Sequence, residues 1–162
     1  RMIGHITFMS DQSMEEKFSR KLKTGHFSFN FDPDFEVEGY LHYRGASFVK
    51  RFDANSYLYI TKALDYFDLS GGKLIGGKPI DTRFLVISFQ SDWLYPSHQS
   101  QEIVRLLKRK QIDATYCELK STYGHDAFLV ETEGQGTLVS HFLERTYAGA
   151  VNGNGNGNGK HR

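Results

Sequence analysis

The chain has 162 residues, 39% hydrophobic and 14% aromatic, a composition that suits one soluble globular domain or a part of one. Lys and Arg number 20 against 19 Asp and Glu, so the net charge of +1 builds no field for nucleic acid or an anionic membrane. The single cysteine, Cys117, excludes a disulfide framework and points to a reducing compartment, the cytoplasm. There is no apolar run of about 18 residues to span a membrane, and no basic-then-apolar leader.

Residues 1 to 9, RMIGHITFM, mix apolar and polar groups without a clear period, and read as the end of a core element that begins upstream. Arg1 in place of a methionine fits such a truncated start. From Asp11 to Lys23, Met14, Phe18 and Leu22 recur every fourth position, with acids early and bases late, which predicts an amphipathic helix. Asp32 before Pro33 predicts a second helix carrying Val37 and Leu41 and stopping at Gly45. Asp53 caps a third, with Tyr57, Ile60, Leu64 and Phe67 along one face. Three consecutive helices without a strand make residues 10–68 an inserted helical layer. The glycine-rich segment 69–82 reads as its return to a sheet.

Phe84, Leu85, Val86 and Ile87 form a continuous apolar run with β-branched members, as in a parallel strand buried on both faces. Ser97 to Lys110 is helical, Ala114 to Leu119 is a second strand, and Gln135 to Tyr147 is a closing helix. Strand, helix and strand in this order make the two strands parallel neighbours through a right-handed crossover. The fold class is therefore α/β, with residues 83–150 as strands and helices of its core. Two parallel strands are too few for a stable sheet, so the missing strands are expected before Arg1. The Asn-Gly repeats of residues 151–162 cannot bury apolar surface and read as a disordered tail.

Asp92 falls just past the first strand, where open α/β sheets place catalytic groups. His125 falls in the loop after the second. One of seven histidines, it reads either as a general base, since imidazole exchanges protons near neutral pH, or as a loop histidine used for hydrogen bonding or capping. Asp92 reads either as the carboxylate that orients it or as an ordinary turn residue. Acid then histidine, after successive strands, is the order of the α/β-hydrolase fold, whose nucleophilic serine comes first. No G-x-S-x-G occurs here, and Ser47 lacks the second glycine and lies in a helical context, so the nucleophile is expected upstream. His98, His125 and Asp126 match no known metal spacing, and no phosphate-loop motif is present.

Four stretches, RMIGHIT at 1–7, RFDANSYLYITKALDYFDL at 51–69, SFQSDWLYP at 88–96 and GHDAFL at 124–129, resemble the homoserine O-acetyltransferase family, within the wider homoserine O-acyltransferases. The resemblance implies the C-terminal part of an α/β-hydrolase fold, with residues 10–68 as a helical lid that also carries homodimer contacts. It implies Asp92 and His125 as two members of a Ser-Asp-His triad that transfers an acyl group to the hydroxyl of L-homoserine, in methionine biosynthesis. The donor is acyl-CoA, acetyl-CoA in preference to succinyl-CoA, acting as co-substrate with no bound cofactor. Asp126 is implied as the contact for the homoserine amine and Arg1 as the partner of its carboxylate, a planar bidentate task suited to guanidinium. Phe8 stands where the family is expected to have tyrosine, seven residues after that arginine, and removes one hydroxyl from the site. Without its serine half the chain is expected to be inactive. An esterase of the same fold, and a non-catalytic binding fragment or split subunit, are the alternatives.

Overall fold

The computed structural model describes residues 1–68 and 81–154. Its centre is a parallel pair of strands, β1 (Phe84–Phe89) and β2 (Ala114–Leu119), joined by helix α5 (Ser97–Arg109). Phe84 pairs with Ala114 and Phe89 with Leu119, so both strands end level. The loops that follow them therefore emerge side by side. Helix α5 turns Val104 inward and completes a small core with Phe89, Ile112 and Ala114. Phe84 to Ile87 are half-buried rather than enclosed on both faces. The reason is that β1 has β2 as its one sheet neighbour among the described residues, which leaves its other edge open there.

The N-terminal residues settle as a helix, α1 (Met2–Thr7), followed by α2 (Asp11–Lys17), α3 (Glu36–Val49) and α4 (Ala54–Asp65). Two of these, α2 and α3, differ from the spacing-based expectation. Helix α2 stops at Lys17, because Ser19 takes a left-handed φ of 45° and Leu22 then leaves the helix to pair with Phe35 in an isolated antiparallel bridge. That bridge delays α3. The Glu36 N–H donates to the Lys21 carbonyl at 2.9 Å and the Lys23 N–H to the Asp34 carbonyl at 2.9 Å, which keeps Phe35 extended (φ −90°, ψ 150°). The helix so begins three residues past Pro33, with the Glu38 carboxylate accepting from the Phe35 N–H at 2.9 Å.

Gly45 does not stop α3. It lies inside the helix beside Met2 of α1, where an added Cβ would make ordinary van der Waals contact with Met2 Cγ at 3.4 Å. Helix α4 starts where expected, Asp53 accepting from the Ser56 N–H at 2.7 Å. After β2, a single 3-10 turn (Gly124–Asp126) leads into the short helix α6 (Ala127–Val130) and the closing helix α7 (Thr132–Asn154). Helix α7 extends beyond both expected ends and takes in the first four residues of the stretch read as a disordered tail; the remainder, residues 155–162, lies outside the described residues. The glycine-rich return at 69–82 also lies outside them, apart from its last two residues. No helix among the described residues is long and apolar enough to cross a membrane.

Candidate active site

The acidic loop begins where the ladder ends. The Gln90 N–H donates to the Leu119 carbonyl at 2.9 Å, and the Asp92 N–H turns back to the Phe89 carbonyl at 3.1 Å. This turn drives the Asp92 side chain inward, leaving the residue 8% exposed. Both of its oxygens are occupied. Oδ1 accepts from the Leu94 and Tyr95 N–H groups at 3.0 and 2.9 Å, and Oδ2 lies 2.8 Å from His125 Nδ1. The carboxylate thus serves as acceptor at both oxygens. With Nδ1 donating to Asp92, the neutral tautomer of the imidazole presents its lone pair at Nε2.

The imidazole is enclosed by aromatic rings. Tyr95, Phe128 and Phe8 place their centroids 5.1, 5.3 and 5.5 Å from it, all tilted. With Asp92 at one nitrogen and rings around its faces, the His125 side chain remains 23% exposed. Nε2 has no hydrogen-bond partner among the described residues, so it is available to an incoming group. Asp92, Tyr95, Ser100, His125 and Phe128 also line a cavity of about 170 Å³ against β1.

Arg1 and Asp126 reach this site through Phe8. The Arg1 guanidinium carbon sits 5.6 Å from the Phe8 ring and 5.5 Å from the Phe48 ring. The Asp126 N–H donates to the Phe8 carbonyl at 3.0 Å. The structure thus joins Asp92 directly to His125 and sets Arg1 and Asp126 around the same phenylalanine. No group of metal-ligating side chains forms among the described residues, and the pairing of His98 with His125 and Asp126 weighed from sequence does not arise.

Several site residues carry no role in the sequence reading. Tyr95 and Phe128 fall within SFQSDWLYP and GHDAFL, yet nothing in those stretches assigns either ring to the histidine. His5, whose Nδ1 lies 3.1 Å from the Tyr40 hydroxyl, ties α1 to α3 beside Arg1. Its sequence signals are its place in RMIGHIT and its spacing of four residues from Arg1. Burial first, then the guanidinium groups of Arg1 and Arg44, lower the His5 pKa from the usual histidine value, against an opposing pull from Asp126. The folded state thus holds His5 neutral. As pH falls through the unfolded histidine value near 6.5 toward the lower native one, the unfolded chain gains a proton that the folded chain refuses, and stability is lost. Urea unfolding midpoints measured at pH 7.5 and 5.5 should therefore differ less in His5→Gln than in the parent. An unchanged difference would mean that His5 does not carry this pH dependence.

Against known proteins, no family model matches the chain. It is 51% identical over 154 residues to a homoserine O-acetyltransferase of Methanohalobium evestigatum, covering 93% of this chain and 32% of that protein. With one from Methanosphaerula palustris it shares 56% identity over 149 residues, 90% of this chain and 30% of the relative. With one from Solidesulfovibrio magneticus it shares 46% over 158 residues, 93% and 40%. The chain spans about a third of the length of such curated relatives. Among solved structures, the crystal structure of an esterase superposes with a TM-score of 0.67 at 19% identity, covering 88% of this chain and 40% of that one. The architecture is that of part of an α/β-hydrolase fold.

Proposed function

The chain is homologous over about nine-tenths of its length to homoserine O-acetyltransferases, and from that premise we propose that it is the acid and base portion of an acyltransferase acting on L-homoserine. The observation that carries the proposal is the Asp92–His125 hydrogen bond of 2.8 Å, formed between loops that leave two paired parallel strands. A buried acid bonded at Nδ1 leaves Nε2 free to take a proton from a hydroxyl.

The reaction needs a serine supplied by the rest of the protein. His125 Nε2 first accepts the serine proton as the serine oxygen attacks the thioester of acyl-CoA; the C–S bond breaks and the proton goes to the leaving thiolate, releasing CoA. His125 Nε2 then deprotonates the homoserine hydroxyl, whose oxygen takes the acyl group and regenerates the serine. Asp92 holds the imidazole in one tautomer and stabilises its charged form in both steps. No bound cofactor is required.

Arg1 pairs with the substrate carboxylate and Asp126 with its amine. What supports this is that both residues meet Phe8, Arg1 through its guanidinium over the ring and Asp126 through its backbone N–H, so that a cationic and an anionic residue flank one segment, as a zwitterion requires. Phe8 contributes a ring and no hydroxyl. Helices α2 to α4 act as the lid, and the exposed apolar residues Tyr57, Ile60, Leu64 and Phe67 on or just beyond α4 supply a homodimer contact. Acetyl-CoA is the expected donor, methionine biosynthesis the expected pathway, and the cytoplasm the expected compartment, in keeping with the free thiol of Cys117.

The test is acyl transfer to homoserine by the full-length protein, with acetyl-CoA and succinyl-CoA compared at equal concentration. Transfer from acetyl-CoA is the expected result. Cleavage of simple esters with no transfer to homoserine from either donor would move the assignment to a hydrolase of the same fold.

A further inference from the structure

We propose that Ser91 and Trp93, the neighbours of Asp92, are positioning residues that fasten the histidine loop and the Phe8–Ser10 turn to the acid loop and so fix the His125 imidazole against its carboxylate. The proposal rests on the reading of Asp92 and His125 as a catalytic pair and extends it to residues that touch neither substrate nor imidazole.

Three consecutive side chains of one loop reach three different partners. Ser91 Oγ accepts the Gly124 N–H at 3.0 Å, Asp92 Oδ2 meets His125 at 2.8 Å, and Trp93 Nε1 donates to the Met9 carbonyl at 3.0 Å. The turn that receives Trp93 is itself bound to the histidine loop on both sides. Its Phe8 carbonyl accepts the Asp126 N–H at 3.0 Å, and its Ser10 hydroxyl donates to the Thr122 carbonyl. The three segments thereby close a ring of hydrogen bonds in which each is tied to the other two. None of these partners is close in sequence, so the ring exists only in the folded chain.

Two features argue that these bonds serve orientation rather than general packing. The Trp93 residue is 55% exposed and borders an open cavity of about 480 Å³, so core burial does not hold the indole; its N–H bond to Met9 does. Ser91 bonds the N–H of the residue directly before His125. Any slack there is passed to the imidazole through one peptide unit. Removing the Ser91 acceptor leaves the N–H of a buried glycine unpaired, a penalty comparable to the hydrogen bond that holds the histidine in place.

The experiment reads exchange with water of the proton on His125 Nδ1, by NMR of histidine-labelled full-length protein, with the resonance assigned by its loss in His125→Gln. Ser91→Ala and Trp93→Phe are each expected to speed this exchange roughly tenfold, while amides of β1 and β2 keep their parent rates and Ser91→Thr restores the parent value. Trp93→Phe keeps the ring and removes only the donor, so it serves even if the serine variant folds poorly. Asp92→Asn should abolish the protected resonance. If it does, while both positioning variants exchange like the parent or speed up only in step with the strand amides, the proposal is overturned and the catalytic pair stands. Should the resonance survive in Asp92→Asn, the pair itself fails and the proposal falls with it.

Discussion

Replacing His125 by alanine is expected to lower acyl transfer to homoserine by about 10⁴-fold or more in the full-length protein, with the loss in kcat rather than in KM. The size follows from the number of proton transfers routed through Nε2. On the proposed reading the same atom serves the attack on acyl-CoA and the attack on the acyl-enzyme, so no step escapes its removal. KM should hold because Arg1 and Asp126, assigned to the substrate charges, keep their places around Phe8. Asp92→Asn should fall in the same direction by less, since the imidazole remains but loses the partner that fixes its tautomer. Retention of most of the parent kcat in His125→Ala would remove this histidine from the chemistry and leave only its hydrogen bond to Asp92 to explain.

Much of this arrangement was legible in the sequence because it is local. The apolar run Phe84 to Ile87 and the stretch Ala114 to Leu119 announce strands by their own composition, and the acid and the histidine follow at fixed short distances from them. The cap at Asp53 was equally plain, since it needs only a carboxylate three residues before an N–H. What the spacing missed depends on contacts between distant segments. Gly45 has the look of a helix stop, yet the helix runs through it to Val49 and packs there beside Met2, more than forty residues earlier in the chain. Pro33 signals a helix start that the Leu22–Phe35 bridge overrides by holding Phe35 extended. The turn at Phe8–Ser10 carries no motif at all, because its role lies in two backbone carbonyls and one hydroxyl.

Half-burial along β1 and the exposed face of α4 have a common physical basis. A parallel strand with a sheet neighbour on one edge alone cannot reach the burial its composition calls for. A helix with Tyr57, Leu58, Ile60 and Leu64 each more than half exposed has more apolar surface than the described residues can cover. Both features fit a chain that spans about a third of its relatives.

Gly124→Ala is the substitution expected to cost the most stability, about 2 to 5 kcal/mol, since two penalties add. Gly124 has a φ of +67°, where a side chain is strained in any surroundings. A Cβ there would also lie 2.5 Å from the Ser10 nitrogen and 2.7 Å from the Met9 carbonyl carbon. Those atoms are backbone, already bound to Trp93 and Asp126 through the same turn, so they cannot step aside without breaking bonds to the acid and histidine loops. The damage should therefore reach function as well as stability, by drawing His125 away from Asp92. Gly136→Ala is the matched control: it lies in α7 with open space around the added carbon, and alanine there should stabilise by about 0.5 to 1 kcal/mol. Urea unfolding of the two variants beside the parent settles the point. If Gly124→Ala unfolds within about 0.5 kcal/mol of the parent, the close approach of the histidine loop to the Phe8–Ser10 turn is wrong, and with it the ring of hydrogen bonds around the acid.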